Sequence, residues 1–523
     1  MKIVGFFVAV MLSAGVATAQ VPKFQEQARA AGIDHAYTGE WEFYVGGGVA
    51  SFDCNNDRRA DVALAGGQGA AALYVNRSEP GGDIRFDQAA LPEITDASGI
   101  YPINLDADGI TDLIVLRVGE NLILKGAGNC QFEIANEVFD FDGGQEWTTG
   151  FAAIWEIGAA YPTLAFGNYV DRFDPDTPFG TCSPNVLIRP DAEGKYGNQT
   201  ALAPGYCSLS ILFTDWNNTG QFDLRVSNDR QYYRGGQEQM WALPPGQPPR
   251  LYGPDDGWGE LIIWGMGISE TDLNADGRPE YSITSMGDNM LQTLDNGGTD
   301  KPIYRDIAFR SGVTATRPYV GGDIKPSTAW HTQFSDVNND ARADLFIAKG
   351  NVKAMEMAAL FDPDNLLIAG KAGQFTEVGD QAGIALDKQG RGAVVEDFNR
   401  DGKLDILVVN REENISLFRN VTEDLGGFVQ IELANGGNGA VNPDAIGAKI
   451  ALVSGGKKQT KTVAIGGGHA SGQVGALHFG LAGAETAQVQ IQWPDGAVSP
   501  LYDLAANTRV RIERGGSTAK ILP

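Results

Sequence analysis

The chain has 523 residues, of which 43% are hydrophobic, 20% charged and 9% aromatic. That is enough apolar material for two or more domains with their own cores, and too much for a disordered chain. Its 40 Lys and Arg stand against 66 Asp and Glu, a formal charge of -26, which repels a phosphate backbone and removes nucleic acid from the expected partners.

Glycine, with 68 residues, is present at roughly twice its usual share, which favours tight turns and short strands over long helices. An all-β repeat protein is therefore expected. Residues 1–19 read as a secretory signal: Lys2 supplies the positive start, Ile3 to Gly15 an apolar core too short for a bilayer, and Ala17-Thr18-Ala19 a small-residue cleavage site. An uncleaved anchor is the alternative. No later run approaches the roughly 20 apolar residues of a membrane helix, so no transmembrane segment is expected after signal removal, and a periplasmic or secreted location is. The four cysteines, Cys54, Cys130, Cys182 and Cys207, are an even number in an oxidising compartment and imply two disulfides. Of three possible pairings, Cys54 with Cys130 and Cys182 with Cys207 is preferred because each joins neighbouring segments.

One acidic nine-residue pattern then recurs along the chain: DCNNDRRAD from Asp53, NLDADGITD from Asn104, DWNNTGQFD from Asp215, DLNADGRPE from Asp272, DVNNDARAD from Asp336 and DFNRDGKLD from Asp397. Each copy runs into a short β-type apolar segment such as Leu113 to Leu116 or Ile406 to Val409. The copies lie about 50 to 65 residues apart, except for one interval of about twice that between Asn104 and Asp215. A degenerate seventh copy is expected near residue 160, with the segment around Gly167 and Asp171 as its candidate.

A second recurrence lies between the loops. Phe24, Tyr304 and Phe375 each precede a glycine, Gly32, Gly312 and Gly383, by the same spacing. The first copy comes before any acidic loop and the last loop lacks one, as expected if the amino-terminal strand completes the final repeat. Residues 20–427 are therefore expected to close into a seven-bladed β-propeller, with a linear solenoid as the alternative.

Positions 1, 3, 5 and 9 of the pattern offer the oxygen ligands a hard cation requires, and Ca2+ is the expected ion. The ligand set is Asp53, Asn55, Asp57 and Asp61; Asn104, Asp106, Asp108 and Asp112; Asp215, Asn217 and Asp223; Asp272, Asn274, Asp276 and Glu280; Asp336, Asn338, Asp340 and Asp344; and Asp397, Asn399, Asp401 and Asp405. Glycine at position 6 permits the sharp turn in four loops; Arg58 and Ala341 replace it in two, where weaker binding is expected. Metal-free Asx turns are the alternative. An EF-hand is excluded because position 12, which should hold a bidentate Glu, is apolar throughout, from Leu64 to Val408.

Residues 428–523 read as a separate β domain, with runs at Val429 to Leu433, Lys449 to Val453, Lys461 to Ile465 and Val489 to Trp493 divided by glycine-rich turns. Trp493 is expected in its core, and Lys457, Lys458 and Lys461 at a solvated hairpin tip. The acidic loops resemble the FG-GAP/VCBS repeats of integrin-type propellers. Asn442-Pro-Asp-Ala-Ile-Gly-Ala448, Leu477-His-Phe-Gly480 and Trp493-Pro-Asp-Gly496 resemble an ASPIC/UnbV domain. Together they resemble the bacterial branch of the cartilage acidic protein family, which implies a secreted calcium-binding protein and leaves activity open.

No catalytic constellation emerges. Four histidines do not make a histidine-rich zinc site, and there is no G-x-S-x-G elbow, phosphate loop or dinucleotide fingerprint. One position is unusual: five residues before the loops stand Gly48, Gly99, Ser210, Gly267, His331 and Gly392, so a histidine occupies a small-residue place. With Trp330, Trp264 and Met266 it could line an axial pocket; the alternative is that these side chains plug the channel. The expected function is a binding module for a protein or glycan partner. The alternative is a carbohydrate-active enzyme with its site on the axis, which rests on fold analogy.

Overall fold

The computed structural model describes residues 20–522 except 178–179, 230–234, 315–327, 354–358, 372 and 437–438. The expected signal segment, residues 1–19, lies outside the described residues. Each acidic loop is a hairpin connection between two strands whose residues are buried on both faces, because neighbouring sheets cover them. The first strands of the six pairs are Val49–Phe52, Ala97–Ile103, Ser208–Thr214, Gly265–Thr271, Ala329–Ser335 and Gly390–Glu396, and Thr148–Ile154 opens a seventh pair whose loop is not acidic. Each begins an antiparallel sheet of successive strands, and these innermost strands touch their neighbours in cyclic order, Gly390–Glu396 against Val49–Phe52 included. The sheets are called blades 1 to 7 in that order. This all-β ring is a propeller.

The outer strand of blade 7 is Phe24–Glu26, paired antiparallel to Ser416–Asn420 with Phe24 opposite Asn420. The two ends of the ring are thereby joined by a ladder rather than left as exposed edges. The aromatic-to-glycine recurrence has a physical cause at the same radius. Gly32, Gly312 and Gly383 end short helical turns at φ of 91°, 77° and 87°. A Cβ there would press on the carbonyl oxygen of Phe86, Phe375 and Phe24 at 2.5, 2.7 and 2.9 Å. The motif stitches each outer strand to that of the next blade.

Blade 3 corrects the sequence reading. Its loop occupies 155–162, between Thr148–Ile154 and Thr163–Asn168, so the spacing points to the right place but Gly167 belongs to the following strand and Asp171 lies beyond it. The loop has lost its acidic spacing, and Trp155 at its start is buried.

Position 9 of the pattern performs one task in blades 1, 2, 6 and 7, whereas in blades 4 and 5 Asp223 and Glu280 accept from one backbone amide, Leu243 N or Leu273 N, and from side chains. In blade 2, Asp112 accepts from Leu105 N and Gly126 N, both at 2.9 Å. In blade 7, Asp405 accepts from Phe398 N at 3.2 Å and Asn420 N at 2.8 Å; Asp61 and Asp344 repeat this. Each of these four carboxylates ties the loop to the third strand of its own blade and satisfies two buried amides. The disulfides add covalent ties, Cys54–Cys130 between blades 1 and 2 and Cys182–Cys207 between blades 3 and 4, with Cα separations of 4.7 and 4.9 Å.

The remaining strands form two four-stranded sheets. One contains Gly427–Ala434, Leu477–Ala482, Thr508–Glu513 and Lys520–Leu522; the other Lys449–Ser454, Lys457–Thr462, Thr486–Gln492 and Tyr502–Ala505. They share a core that includes Ile431, Leu452, Phe479, Ile491, Trp493 and Ile512. The strand expected at 461–465 ends at Thr462, because the chain turns out of the sheet at Gly466–Gly468. The hairpin tip is Gly455-Gly456, with Lys458 exposed beside it; Lys457 and Lys461 are half-buried and donate to Asp340 O at 2.6 Å and His478 O at 2.7 Å.

Asp405→Ala should leave two buried amides without an acceptor and lower unfolding stability by about 2–4 kcal/mol. Asp401→Ala should cost clearly less in the absence of divalent ions, and denaturant unfolding in chelator compares the two directly.

Candidate metal loops and the axial site

The acidic loops all lie at the end of the ring where the inner strands finish, and the carboxy-terminal domain sits on them. Arg509 Nη1 donates to Arg58 O in loop 1 at 2.9 Å, and Gly439 N to Ala107 O in loop 2 at 3.0 Å. In loop 4, Lys449 Nζ lies 2.7 Å from Asp215 Oδ2 and 2.6 Å from Asn218 Oδ1. Thr460 stands beside Asp272 in loop 5. In blades 6 and 7, His478 Nε2 pairs with Asn339 Oδ1 at 2.7 Å, and Gln430 Nε2 donates to Asp397 Oδ2 at 2.7 Å. At blade 3, where the acidic pattern is missing, the contact turns apolar: Ile446 and Ile465 join Ile154 and Trp155 in one buried cluster.

Within a loop, position 1 organises the turn. Asp397 Oδ1 accepts from Asp401 N at 3.0 Å and Oδ2 from Gly402 N at 2.9 Å; Asp336 does the same with Asp340 N and Ala341 N. Other loop oxygens have no donor. Asn104 Oδ1, Asp340 Oδ1 and Asn399 Oδ1 are buried and accept no hydrogen bond, so each of these three loops presents an oxygen with free lone pairs that suit a hard cation. Position 9 is already engaged through both oxygens. Burial and neighbouring carboxylates push Asp336 and Asp397 up to about 7, and burial first does the same to Asp61, Asp112 and Glu280. A divalent ion reverses that tendency by favouring the ionised forms. Among the described residues, one group of three His, Cys, Asp or Glu side chains lies close enough to share an ion, Cys54, Asp61 and Cys130, and its cysteines are joined to each other.

The axis is occupied by the chain itself. Residues 465–473, leaving the carboxy-terminal domain, run down the centre: Gly472–Gln473 pairs parallel with Ala50–Ser51 of blade 1, and bridges reach Ala153, Ile268 and Ile100 of blades 3, 5 and 2. This explains the small residues five places before the loops. A Cβ at Gly48 would overlap the Ala470 carbonyl, and one at Gly392 the Ser471 hydroxyl.

His331 fits the same arrangement. Its ring covers Gly468, where a side chain would collide with it, and its Nδ1 accepts from His469 N at 3.1 Å. The His469 ring packs on Trp330 with centroids 5.0 Å apart, and Arg391 stacks on the same indole at 4.4 Å. Trp330 is fully buried, whereas Trp264 is 37% exposed and lies against Gly287. The structure thus brings His331, Trp330 and Met266 to the centre and leaves Trp264 at the surface. His469 and Lys449 were missed in the sequence, although the Gly466-Gly-Gly468 run before His469 is the mark of a close backbone approach.

Between the loop face and the domain above it lies a cavity of about 780 Å3, with Glu270, Gln333 and Glu396 on the propeller wall and Asp444, Arg509 and Arg511 on the other. The Asp171–Asp176 stretch is a surface turn in which Asp171 Oδ1 and Asp174 Oδ1 accept from Phe173 N and Asp176 N.

Burial lowers His331 to about 4, and burial with the nearby Arg391 charge lowers His469 to about 3. Both rings are therefore neutral when folded, while the unfolded chain takes up protons below 6.5, so the axial packing loses stability as pH falls from about 6.5 towards 4. Proton NMR titration should show both resonances unmoved to at least pH 5. Midpoints near 6.5 would contradict buried rings.

The ASPIC and UnbV family matches residues 438–519, and the FG-GAP-like repeat family matches residues 53–115 and 336–408. Cartilage acidic protein 1 of Mus musculus is 27% identical over 240 residues, covering 44% of this chain and 34% of that protein. The Homo sapiens protein of the same name is 26% identical over 240 residues, 44% of this chain and 33% of its own length. The chain thus spans about a third of the length of the curated relatives it matches. Among solved structures, BBS1N in complex with ARL6DN aligns at a TM-score of 0.42 with 10% identity, covering 73% of this chain and 94% of that one. The chain is a propeller protein that combines FG-GAP-like repeats with an ASPIC and UnbV domain and is similar to cartilage acidic protein 1.

Proposed function

We propose that the protein is a calcium-stabilised binding module of the periplasm or cell exterior, whose partner is a protein or glycan engaged on the face opposite the acidic loops. The observation that carries the calcium reading is the set of buried, donor-free oxygens at Asn104, Asp340 and Asn399, each on a loop that already holds several carboxylates. Calcium would supply charge neutralisation there, and the loops would in turn present a rigid seat to the domain above.

Two disulfides suit an oxidising compartment, and no helix among the described residues is long and apolar enough to cross a membrane. The loop face is covered and the axis filled, which leaves the far face, where the inner strands begin, for a partner. Aromatic groups gather on that side: Trp41 meets Trp147 edge-on with centroids 4.8 Å apart, and Arg411 stacks on Tyr44 at 4.6 Å. Trp147 is itself buried, but half-buried rings such as Trp41 and Tyr44 with a cationic neighbour suit sugar rings or aromatic and proline-rich peptides. An enzyme site on the axis near His331 would require residues 468–471 to move away.

Calcium in excess over chelator should raise the melting midpoint by on the order of 5 °C or more, with calcium retained after dialysis. An unchanged midpoint and no retained metal would remove the calcium reading. For the binding face, a glycan and peptide array should lose its signal with Trp41→Ala at unchanged calcium content; a signal that survives puts the partner elsewhere.

A further inference from the structure

The six acidic loops are not equivalent, and loop 4 does not fit a cation. Its position 5 is Thr219 rather than a carboxylate, and every oxygen of its pattern is already engaged. Asp215 Oδ1 accepts from Thr219 N at 2.8 Å, and Oδ2 from Gly220 N at 2.8 Å. Asn217 Oδ1 accepts from the Thr219 hydroxyl at 2.8 Å. Asp223 is held by Trp216 Nε1 and the Tyr252 hydroxyl, each at 2.8 Å, and by Leu243 N at 3.2 Å. Into this loop comes Lys449, with its ammonium on Asp215 Oδ2 and Asn218 Oδ1. The aspartate is buried and the lysine nearly so, their side chains being 1% and 12% exposed.

We propose that Lys449 of the carboxy-terminal domain is the resident cation of loop 4, so that this loop is a domain-docking lock rather than a metal site.

Lysine is also found at loop 2, where Lys125 Nζ touches Asp106 and lies 3.1 Å from Asp108. That loop differs in the ways that matter. Lys125 comes from the same blade and so fastens nothing, three carboxylates remain for one ammonium, and Asn104 Oδ1 is still without a donor. At loop 4 the ammonium forms its ion pair with one carboxylate, Asp215, and the charge of Glu270 on the next blade adds to its attraction. Lys449 also follows Ile446 and Gly447, which pack against Ile154 and Phe222 of blades 3 and 4. The apolar contact and the ion pair are thus adjacent teeth of one docking edge, and a buried carboxylate left without its partner strongly disfavours the docked state.

The inference rests on the calcium reading only for the other loops, and the test separates the two. Calcium per chain is counted after equilibration and dialysis, and hydrogen exchange is followed at residues 465–473, which are protected only while the domain is docked. Lys449→Met should speed that exchange by on the order of tenfold, with Lys449→Arg restoring most of the protection. Thr219→Asp alone should gain no calcium, and Thr219→Asp with Lys449→Met should gain one ion per chain. Unchanged exchange in Lys449→Met, or an extra ion in Thr219→Asp alone, would overturn the proposal. If wild type and all variants bind no calcium, the calcium reading fails while the exchange result still decides the role of Lys449.

Discussion

The controlling constraint is the narrowness of the centre of the ring. Inner strands that meet around one axis leave room for a backbone and little else, and Gly48, Gly99, Gly267 and Gly392 keep that room open. Residues 465–473 take it, with their own glycines placed where His331 and Ala152 approach. Because the segment belongs to the carboxy-terminal domain, filling the axis also fixes that domain over the loops. The two parts are therefore one packed unit rather than beads on a linker, and Ile446 and Ile465 lie within a propeller core.

Charge follows from this placement. Covering the loop face buries carboxylates that a bare propeller would leave hydrated, and their proton affinities rise accordingly. Three means of compensation are visible in the fold: backbone amides at positions 1 and 9, basic side chains at loops 2 and 4, and donor-free oxygens that suit a divalent ion. At blade 3 the acidic residues are absent and the interface is apolar. The loops differ from one another because each meets a different part of the domain above.

Much of this was legible in the chain. The acidic repeat gave the blades, the aromatic-to-glycine spacing gave the outer strands and their closure, and preference for neighbouring cysteines gave both disulfides. These are local signals, since a hairpin loop, a positive-φ glycine and a short apolar strand are each written in a few consecutive residues. The lost loop of blade 3 was misplaced by several residues because nothing local survives there; only the register of Thr148–Ile154 with Thr163–Asn168 locates it.

The roles of individual acids and of the histidine depended on distant parts of the chain. Sequence placed Asp112 and Asp405 among ligands, while their amide partners, Gly126 N and Asn420 N, belong to the third strand of the blade. It marked His331 as unusual but offered no partner for it, because Gly468 and His469 lie more than a hundred residues away. Likewise Lys449 reads as an ordinary surface lysine until the fold sets it on Asp215. Sequence by itself determined the repeating architecture, since short-range backbone and packing preferences suffice for that. Only tertiary structure decided which loops keep donor-free oxygens, which face an ammonium and what fills the axis, because those depend on charges and backbones brought together across the whole chain.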